Sequence, residues 1–182
     1  MARPGSVVIS AGDIAAGVER LAAEVAAVGP AGDASLPLVL LCVLKGALLL
    51  TADLARALDA HGVEVEIDAV LVRSYAGTEQ TGRLEVIKDA GTALGGRDVL
   101  IVEDVVDTGL TTAFLLDRVR ADNPARLRLL ALLDKPGRRL REVAIDHCGF
   151  RIGDDFVVGY GLDLDERWRQ LPDVRALDGP PG

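Results

Sequence analysis

Cysteine and aromatic residues are scarce in this 182-residue chain, which holds two Cys, one Trp, two Tyr and three Phe. Cys42 and Cys148 have neither disulfide-framework nor metal-ligand spacing, and Cys42 lies in an apolar run where a thiol acts as a small hydrophobe. That usage fits a reducing cytoplasm, the expected compartment. Positive charge is also short: 20 Lys and Arg against 28 Asp and Glu give a formal net charge of −8. The imbalance argues against a general nucleic-acid or membrane-surface binder, because either wants clustered basic side chains. Any anion must be held locally. No apolar run approaches the roughly 18 residues of a membrane span. Asp13, Glu19 and Glu24 break the N-terminal stretch before it can act as a secretion signal. No internal repeat appears, and no GxxxxGK(S/T) phosphate loop.

What remains is a sequence with 49% hydrophobic residues, enough for one domain with a large core. Residues 1–177 are expected to form that single domain, and the Pro/Gly-rich end, residues 178–182, a disordered tail. "ISAGDIAAGVERLAAEVAAVGP" predicts a helix: Ser10 and Asp13 resemble a capping box, Ile14, Val18, Leu21 and Val25 form one stripe, and Gly29-Pro30 stops it. "LPLVLLCVL" is too continuously apolar for a half-exposed strand and too short for a helix, so it reads as a strand buried on both faces. "ALLLTADLARAL" then suits a helix. "VEVEIDAVLVRSY", "RDVLIVED", "RLRLLALLD" and "DFVVGYGLD" supply further strands. Between the middle two, "LTTAFLLDRVRADN" predicts a helix with Phe114, Leu115 and Val119 on one side.

Alternating strands and helices with continuous apolar strands imply an α/β fold around a mostly parallel sheet. Ligands bind such sheets beyond the strand carboxyl ends. Lys45-Gly46, Glu103-Asp104, Asp134-Lys135 and Asp163 are all expected at that edge. One stretch there poses a problem: "VLIVEDVVDTGLTT" sets three carboxylates beside a loop suited to an anion. Gly109 allows a tight turn, so that backbone N–H groups and the Thr108, Thr111 and Thr112 hydroxyls converge on one anion at the start of a helix. Taken alone, Asp107 and Thr108 suit a helix cap equally well. Glu103 and Asp104 need a different partner, and a vicinal diol accepts their lone pairs, as ribose does in dinucleotide folds. A sugar phosphate satisfies both halves.

"VLIVEDVVDTGLTT" resembles the phosphoribosyl diphosphate (PRPP) motif of type I phosphoribosyltransferases. "VLKG", "VRSYAGTEQTG", "LLDKPGRR" and "FVVGYGLDLDERWRQLP" narrow the resemblance to the hypoxanthine-guanine phosphoribosyltransferase family, over residues 7 to 177. The resemblance implies the type I phosphoribosyltransferase fold, with a small hood and a mobile flap. The implied reaction moves the 5-phosphoribosyl group from PRPP to hypoxanthine or guanine, giving IMP or GMP and pyrophosphate, with Mg²⁺ as cofactor and a homodimer or homotetramer as the assembly. In its terms the 5-phosphate lies on Asp107, Thr108, Gly109, Leu110 and Thr111. Glu103 and Asp104 face the ribose hydroxyls, partly through magnesium and its waters. Asp107 is the candidate general base near purine N7. Asp163 contacts a magnesium ion and, with Val157, lies near the backbone acceptors that meet the purine 2-position, and Arg169 contacts pyrophosphate. Lys45-Gly46 forms a loop whose peptide can turn cis, an arrangement that costs about 3 kcal/mol without proline and that the sequence leaves open.

The same resemblance has Lys135 donating to the purine O6, Phe156 stacking on the ring and Val157 presenting backbone groups to the base edge. On burial habits alone Phe156 would more often be core, and Lys45 and Lys135 solvated strand-end lysines. Ser74 and Tyr75 are the expected flap tip, within a polar, Gly-bearing segment that suits a closing loop. His147 and Cys148 are expected to be structural. Departures from the family pattern are Leu110, Leu164 and Trp168, the last two at the rim of the base pocket. Two other readings compete: a nucleotide-sensing RNA-binding regulator on this fold, disfavoured by the lack of a basic stripe, and a phosphoribosyltransferase for adenine or a pyrimidine, disfavoured by Lys135 and the "FVVGYGLD" segment.

Overall fold

The apolar run at 38–43 becomes a strand in which all six residues are buried, and the rest of the architecture is arranged around it. A computed structural model describes residues 2–75 and 83–179. In chain order the elements are β1 (Arg3–Ile9), α1 (Ala11–Val28), β2 (Leu38–Val43), α2 (Leu48–Ala60), β3 (Val65–Tyr75), β4 (Arg83–Lys88), β5 (Asp98–Val106), α3 (Leu110–Arg120), β6 (Arg126–Asp134), β7 (His147–Arg151), β8 (Val157–Val158) and β9 (Val174–Asp178). Six strands form the central sheet in the order β4-β3-β2-β5-β6-β7. All of its pairings are parallel except β3 with β4.

The predicted α1 is present. Ser10 Oγ accepts from the Asp13 amide at 3.1 Å and donates to the Asp13 carboxylate at 2.6 Å, and Gly29 ends the helix at φ 71°. Its stripe, Ile14, Val18, Leu21 and Val25, is buried against the same core as Leu40 on β2, Leu54 on α2 and Leu130 on β6. Fully burying a side chain of this size contributes about 1.5–3 kcal/mol, so Leu21→Ala, at a site with no exposure, costs about 2–5 kcal/mol. α3 covers the other face, where Leu115, Leu116 and Val119 are buried; Phe114, expected on that stripe, is only half-buried.

"DFVVGYGLD" departs from expectation. Only Val157 and Val158 are strand, and they belong to a separate three-stranded antiparallel sheet, β1-β9-β8, which forms the hood. Positive φ at Gly159 (101°), Tyr160 (48°) and Gly161 (100°) turns the chain out of extended structure. Asp163 therefore comes from a hood loop and not from the end of a central strand. The hood is fixed by burial: Ile9, Val157, Tyr160, Leu162 and Val174 join the core of α1 and α2. The Tyr160 hydroxyl also donates to Asp53 of α2 at 2.7 Å. β9 runs through Asp178, one residue into the segment expected as tail, while 180–182 lie outside the described residues.

Candidate active site

The anion loop is built by the end of β5. After Val106 the chain turns through Asp107-Thr108-Gly109 into α3, with Gly109 at φ 79° as its N-cap. A Cβ there would lie 2.1 Å from the Arg141 carbonyl oxygen, so both backbone angle and space demand glycine. The Thr108 hydroxyl oxygen accepts from the Leu110 amide at 3.4 Å, Thr111 is half-buried and Leu110 is exposed at the mouth. The turn thus opens an 11-residue helix, whose amino-terminal dipole favours an anion, the geometry a one-anion cradle requires.

Glu103 and Asp104 precede the loop on the same strand. Glu103 is buried and its Oε2 has no partner. Burial, reinforced by the neighbouring Asp104 charge, pushes its pKa up to about 8. Asp104, half-buried, is raised to about 6, first by desolvation and further by Asp163, although its own and the Val105 backbone N–H groups and the Arg169 charge pull the other way. A buried acid with an unused oxygen is ready for a cation or a hydroxyl donor.

Opposite these acids the hood loop meets the Lys45-Gly46 loop at very close range. The Leu44–Lys45 peptide is cis. A Cβ on Gly46 would fall 1.8 Å from Asp104 Oδ2, and one on Gly161 would fall 1.9 Å from the Gly46 carbonyl oxygen. Glycine at both positions is what lets three segments converge. Arg169 Nη1 donates to the Gly161 carbonyl at 2.6 Å, and its Nη2 lies 2.8 Å from Asp163 Oδ1. The Glu166 amide donates to Asp163 Oδ2 at 2.8 Å, and Glu166 pairs with Lys45 at 3.1 Å. Lys45, Gly46, Asp104, Asp163 and Arg169 are thus gathered in one corner.

The residues fit a magnesium ion in one specific sense. Among the described residues no three His, Cys, Asp or Glu side chains cluster as an all-protein cage. Magnesium ordinarily uses one or two carboxylates, keeps several waters and takes substrate phosphates. Asp104, the nearby Asp163 and the unpartnered oxygen of Glu103 offer carboxylate oxygens of the type such a site uses.

Lys135, at the end of β6, is the clearest departure from lysine habit. It is 5% exposed, its ammonium donates to the Asp155 carbonyl at 2.7 Å, and desolvation lowers its pKa. Phe156, next to that carbonyl, is 41% exposed, which is an unusual place for a phenyl ring without a partner. Val157 beside it is buried in β8. Asp155, whose carbonyl holds Lys135, was not foreseen from the sequence. Nor were Arg138, whose Nε lies 2.7 Å from Asp107 Oδ1, and Arg139, which is buried between Asp134 and the Asp107 carbonyl. The only signal for this pair was its place within "LLDKPGRR". Ser74 and Tyr75 end β3 opposite Leu84 and Arg83, and the rest of the expected flap, 76–82, lies outside the described residues. His147 is buried near Glu24, and Cys148 is an unbridged, half-buried thiol.

Comparison with known proteins identifies the family. Residues 10–166 match the model of the phosphoribosyl transferase domain family. A hypoxanthine-guanine phosphoribosyltransferase of Mycobacterium avium is 42% identical over 176 residues, covering 95% of this chain and 85% of its own. One from Bacillus subtilis is 43% identical over 136 residues, 74% of each chain. The hypoxanthine phosphoribosyltransferase of Trypanosoma cruzi, in complex with the product IMP, superposes with a TM-score of 0.89 at 35% identity over 96% of this chain and 95% of that one. With an anion loop, the buried Glu103, the half-buried Asp104 and a buried lysine at one sheet edge, and with the Mycobacterium avium and Trypanosoma cruzi proteins matched along nearly its whole length, this chain belongs to the hypoxanthine-guanine phosphoribosyltransferase family, a branch of the type I phosphoribosyltransferases.

Proposed function

We propose that this protein is a purine salvage enzyme, a pentosyl glycosyltransferase that moves the 5-phosphoribosyl group from PRPP to hypoxanthine and guanine and releases pyrophosphate with IMP or GMP. The observation that carries the reading is Lys135: a buried ammonium, three donors and no acceptor, held beside an exposed Phe156. A 6-oxopurine accepts from such a group. The 6-amino group of adenine would set donor against donor, so that the ammonium, bonded to Asp155 on one side, would find no acceptor on the base.

The remaining roles follow from position. The 5-phosphate occupies the Asp107–Thr111 cradle, which keeps it clear of Glu103 and Asp104, and these face the ribose hydroxyls. Purine N9 attacks C1 of the ribose as the bond to pyrophosphate breaks, and the configuration at C1 inverts. Asp107 receives the proton that the purine loses at N7. Phe156 stacks on the base and Val157 offers it backbone groups. Arg169 with the Lys45-Gly46 loop holds the departing diphosphate, so that catalysis is mostly placement and electrostatics. Asp163, Glu103 and Asp104 are the carboxylates that would hold Mg²⁺, which when bound offsets the charge of the diphosphate. Ser74 and Tyr75 belong to a flap that excludes water from the activated ribose.

The enzyme acts as a single domain, expected over residues 1–177 and carried by β9 one residue further to Asp178, and as a homodimer or homotetramer, which light scattering checks. Two unbridged thiols suit the cytoplasm, and no described helix is long and apolar enough to cross a membrane.

The test is competitive. Adenine and hypoxanthine at equal concentration, with magnesium and limiting PRPP, should yield IMP in excess on the order of 10⁴, the scale of rejection by a site built on one buried hydrogen bond. AMP within tenfold of IMP would overturn the assignment of Lys135. Guanine should serve as well, with xanthine poorer because its 2-oxo group meets backbone acceptors near Val157 and Asp163.

A further inference from the structure

The 135–141 loop is tied to the anion cradle by more bonds than a base-recognition loop requires. The Lys135 amide donates to the Val106 carbonyl at 3.0 Å, and the Leu140 and Arg141 amides both donate to the Thr108 carbonyl at 2.9 and 3.0 Å. Between them runs the side chain of Arg139, 7% exposed. Its Nη1 donates to the Asp107 carbonyl at 2.8 Å, and its Nη2 pairs with the equally buried Asp134, one residue before Lys135.

These bonds have a geometric consequence. In a trans peptide the N–H points opposite to the C=O of the same unit. With the carbonyls of Asp107 and Thr108 turned toward the 135–141 loop, the N–H groups of Thr108 and Gly109 are turned away from it. We infer that Arg139 is a positioning residue: by holding the Asp107 carbonyl it aims the Thr108 N–H at the 5-phosphate of PRPP, and by pairing with Asp134 it locks that cradle to the strand end that carries Lys135. The inference rests on the proposed reading of the Asp107–Thr111 loop. Arg139 touches no substrate; it acts through the peptide that does. Its guanidinium suits the task because one rigid fork serves two acceptors that lie on different segments, which a lysine ammonium on its flexible stem does not.

Arg139→Lys separates this role from a purely structural one, since it keeps a cation beside Asp134 and withdraws the donor from the Asp107 carbonyl. The probes are ribose 5-phosphate and pyrophosphate, each as an inhibitor against PRPP. In the variant the inhibition constant of ribose 5-phosphate and the KM of PRPP should rise about tenfold. That of pyrophosphate and kcat should stay within about twofold, with an unchanged melting temperature. A wild-type constant for ribose 5-phosphate in the variant would overturn the inference, as would an equal loss for both inhibitors, which is the signature of general damage. If Arg139→Lys fails to fold, Asp134→Asn takes its place: it loosens the anchor, leaves both donors on Arg139, and should weaken ribose 5-phosphate about threefold. No weakening there would equally overturn the inference. Ribose 5-phosphate that fails to compete with PRPP in the unaltered protein would remove the reading of the cradle itself, and this inference with it.

Discussion

Asp68 on β3 and Glu103 on β5 are carboxylic acids two strands apart in one sheet, and their surroundings drive them in opposite directions. Burial alone would raise Asp68, but the backbone N–H groups of Thr92, Ala69 and Gly91 outweigh it and bring its pKa down to about 2. Lys88 adds a further contact at 3.3 Å. Beside it Glu66 accepts from the Thr92 hydroxyl at 2.8 Å and pairs with Arg97 at 2.7 Å, so the two acids clasp the connection from β4 into β5. Glu103 is more deeply buried and lacks such donors around its free oxygen, and its pKa goes up to about 8. The difference separates a carboxylate whose two oxygens have found donors within the chain, Asp68, from one with an oxygen left unpartnered, Glu103. Alterations in the clasp should change stability and spare chemistry, and alterations in the cleft should act first on chemistry.

The largest break in that division would come at Lys135. Lys135→Met keeps the stem and removes the donor, so the preference for hypoxanthine over adenine, on the order of 10⁴, should collapse to within about tenfold, while the melting temperature holds or rises because a buried cation is gone. Kinetics with each base check it. Next is Asp107→Asn, which keeps the loop and the affinity for PRPP but should lower turnover by about 10² or more, the usual scale for loss of a general base. Single-turnover measurement at saturating PRPP reads that step directly.

The clasp supplies the third effect, and it concerns pH. A depressed folded-state pKa contributes stability above the unfolded value near 3.8, which is lost as pH falls through about 2. Asp68→Asn should therefore remove at most about 2 kcal/mol at neutral pH, flatten the acid limb of the stability curve and leave kcat unchanged. Glu103 has the opposite sign: its raised folded-state pKa favours the fold below about 4.5, and that advantage is lost as pH rises through about 8. Without metal, Glu103→Gln should flatten the alkaline limb, and denaturant titrations across pH with both variants test the two signs together. The smallest effect is on metal. Asp163→Ala should raise the magnesium needed for half-maximal rate severalfold, since one carboxylate leaves a water-rich shell, and full activity in excess chelator would count against a metal role altogether.

The sequence revealed the cleft better than the clasp, for a physical reason. The β5 cradle is local: acids, turn glycine and threonines follow one another within "EDVVDTGLTT", so spacing alone conveys the chemistry. The buried strands were legible for the same reason, since continuous apolarity is a local property. Asp68 looked like one polar residue in an alternating strand, because its partners lie 23 and 24 residues away. Arg139 reaches across 32 residues to the Asp107 carbonyl, a contact that no periodicity encodes. Asp163 was expected at the right edge but on the wrong sheet, because "FVVGYGLD" is apolar enough for a strand and only its positive φ angles show that it turns away.

The hood's pairing has a consequence for the order in which the molecule is made. β1 precedes every other described element in the chain, yet among the described residues its strand partner is β9, so it must wait until Val174–Asp178 have been synthesised. The central sheet has its six strands once β7 has emerged, and domains fold during synthesis as their parts become available. The hood sheet is therefore completed after the central one, and a nascent chain halted before Val174 would hold all six central strands while β1 still lacked its partner.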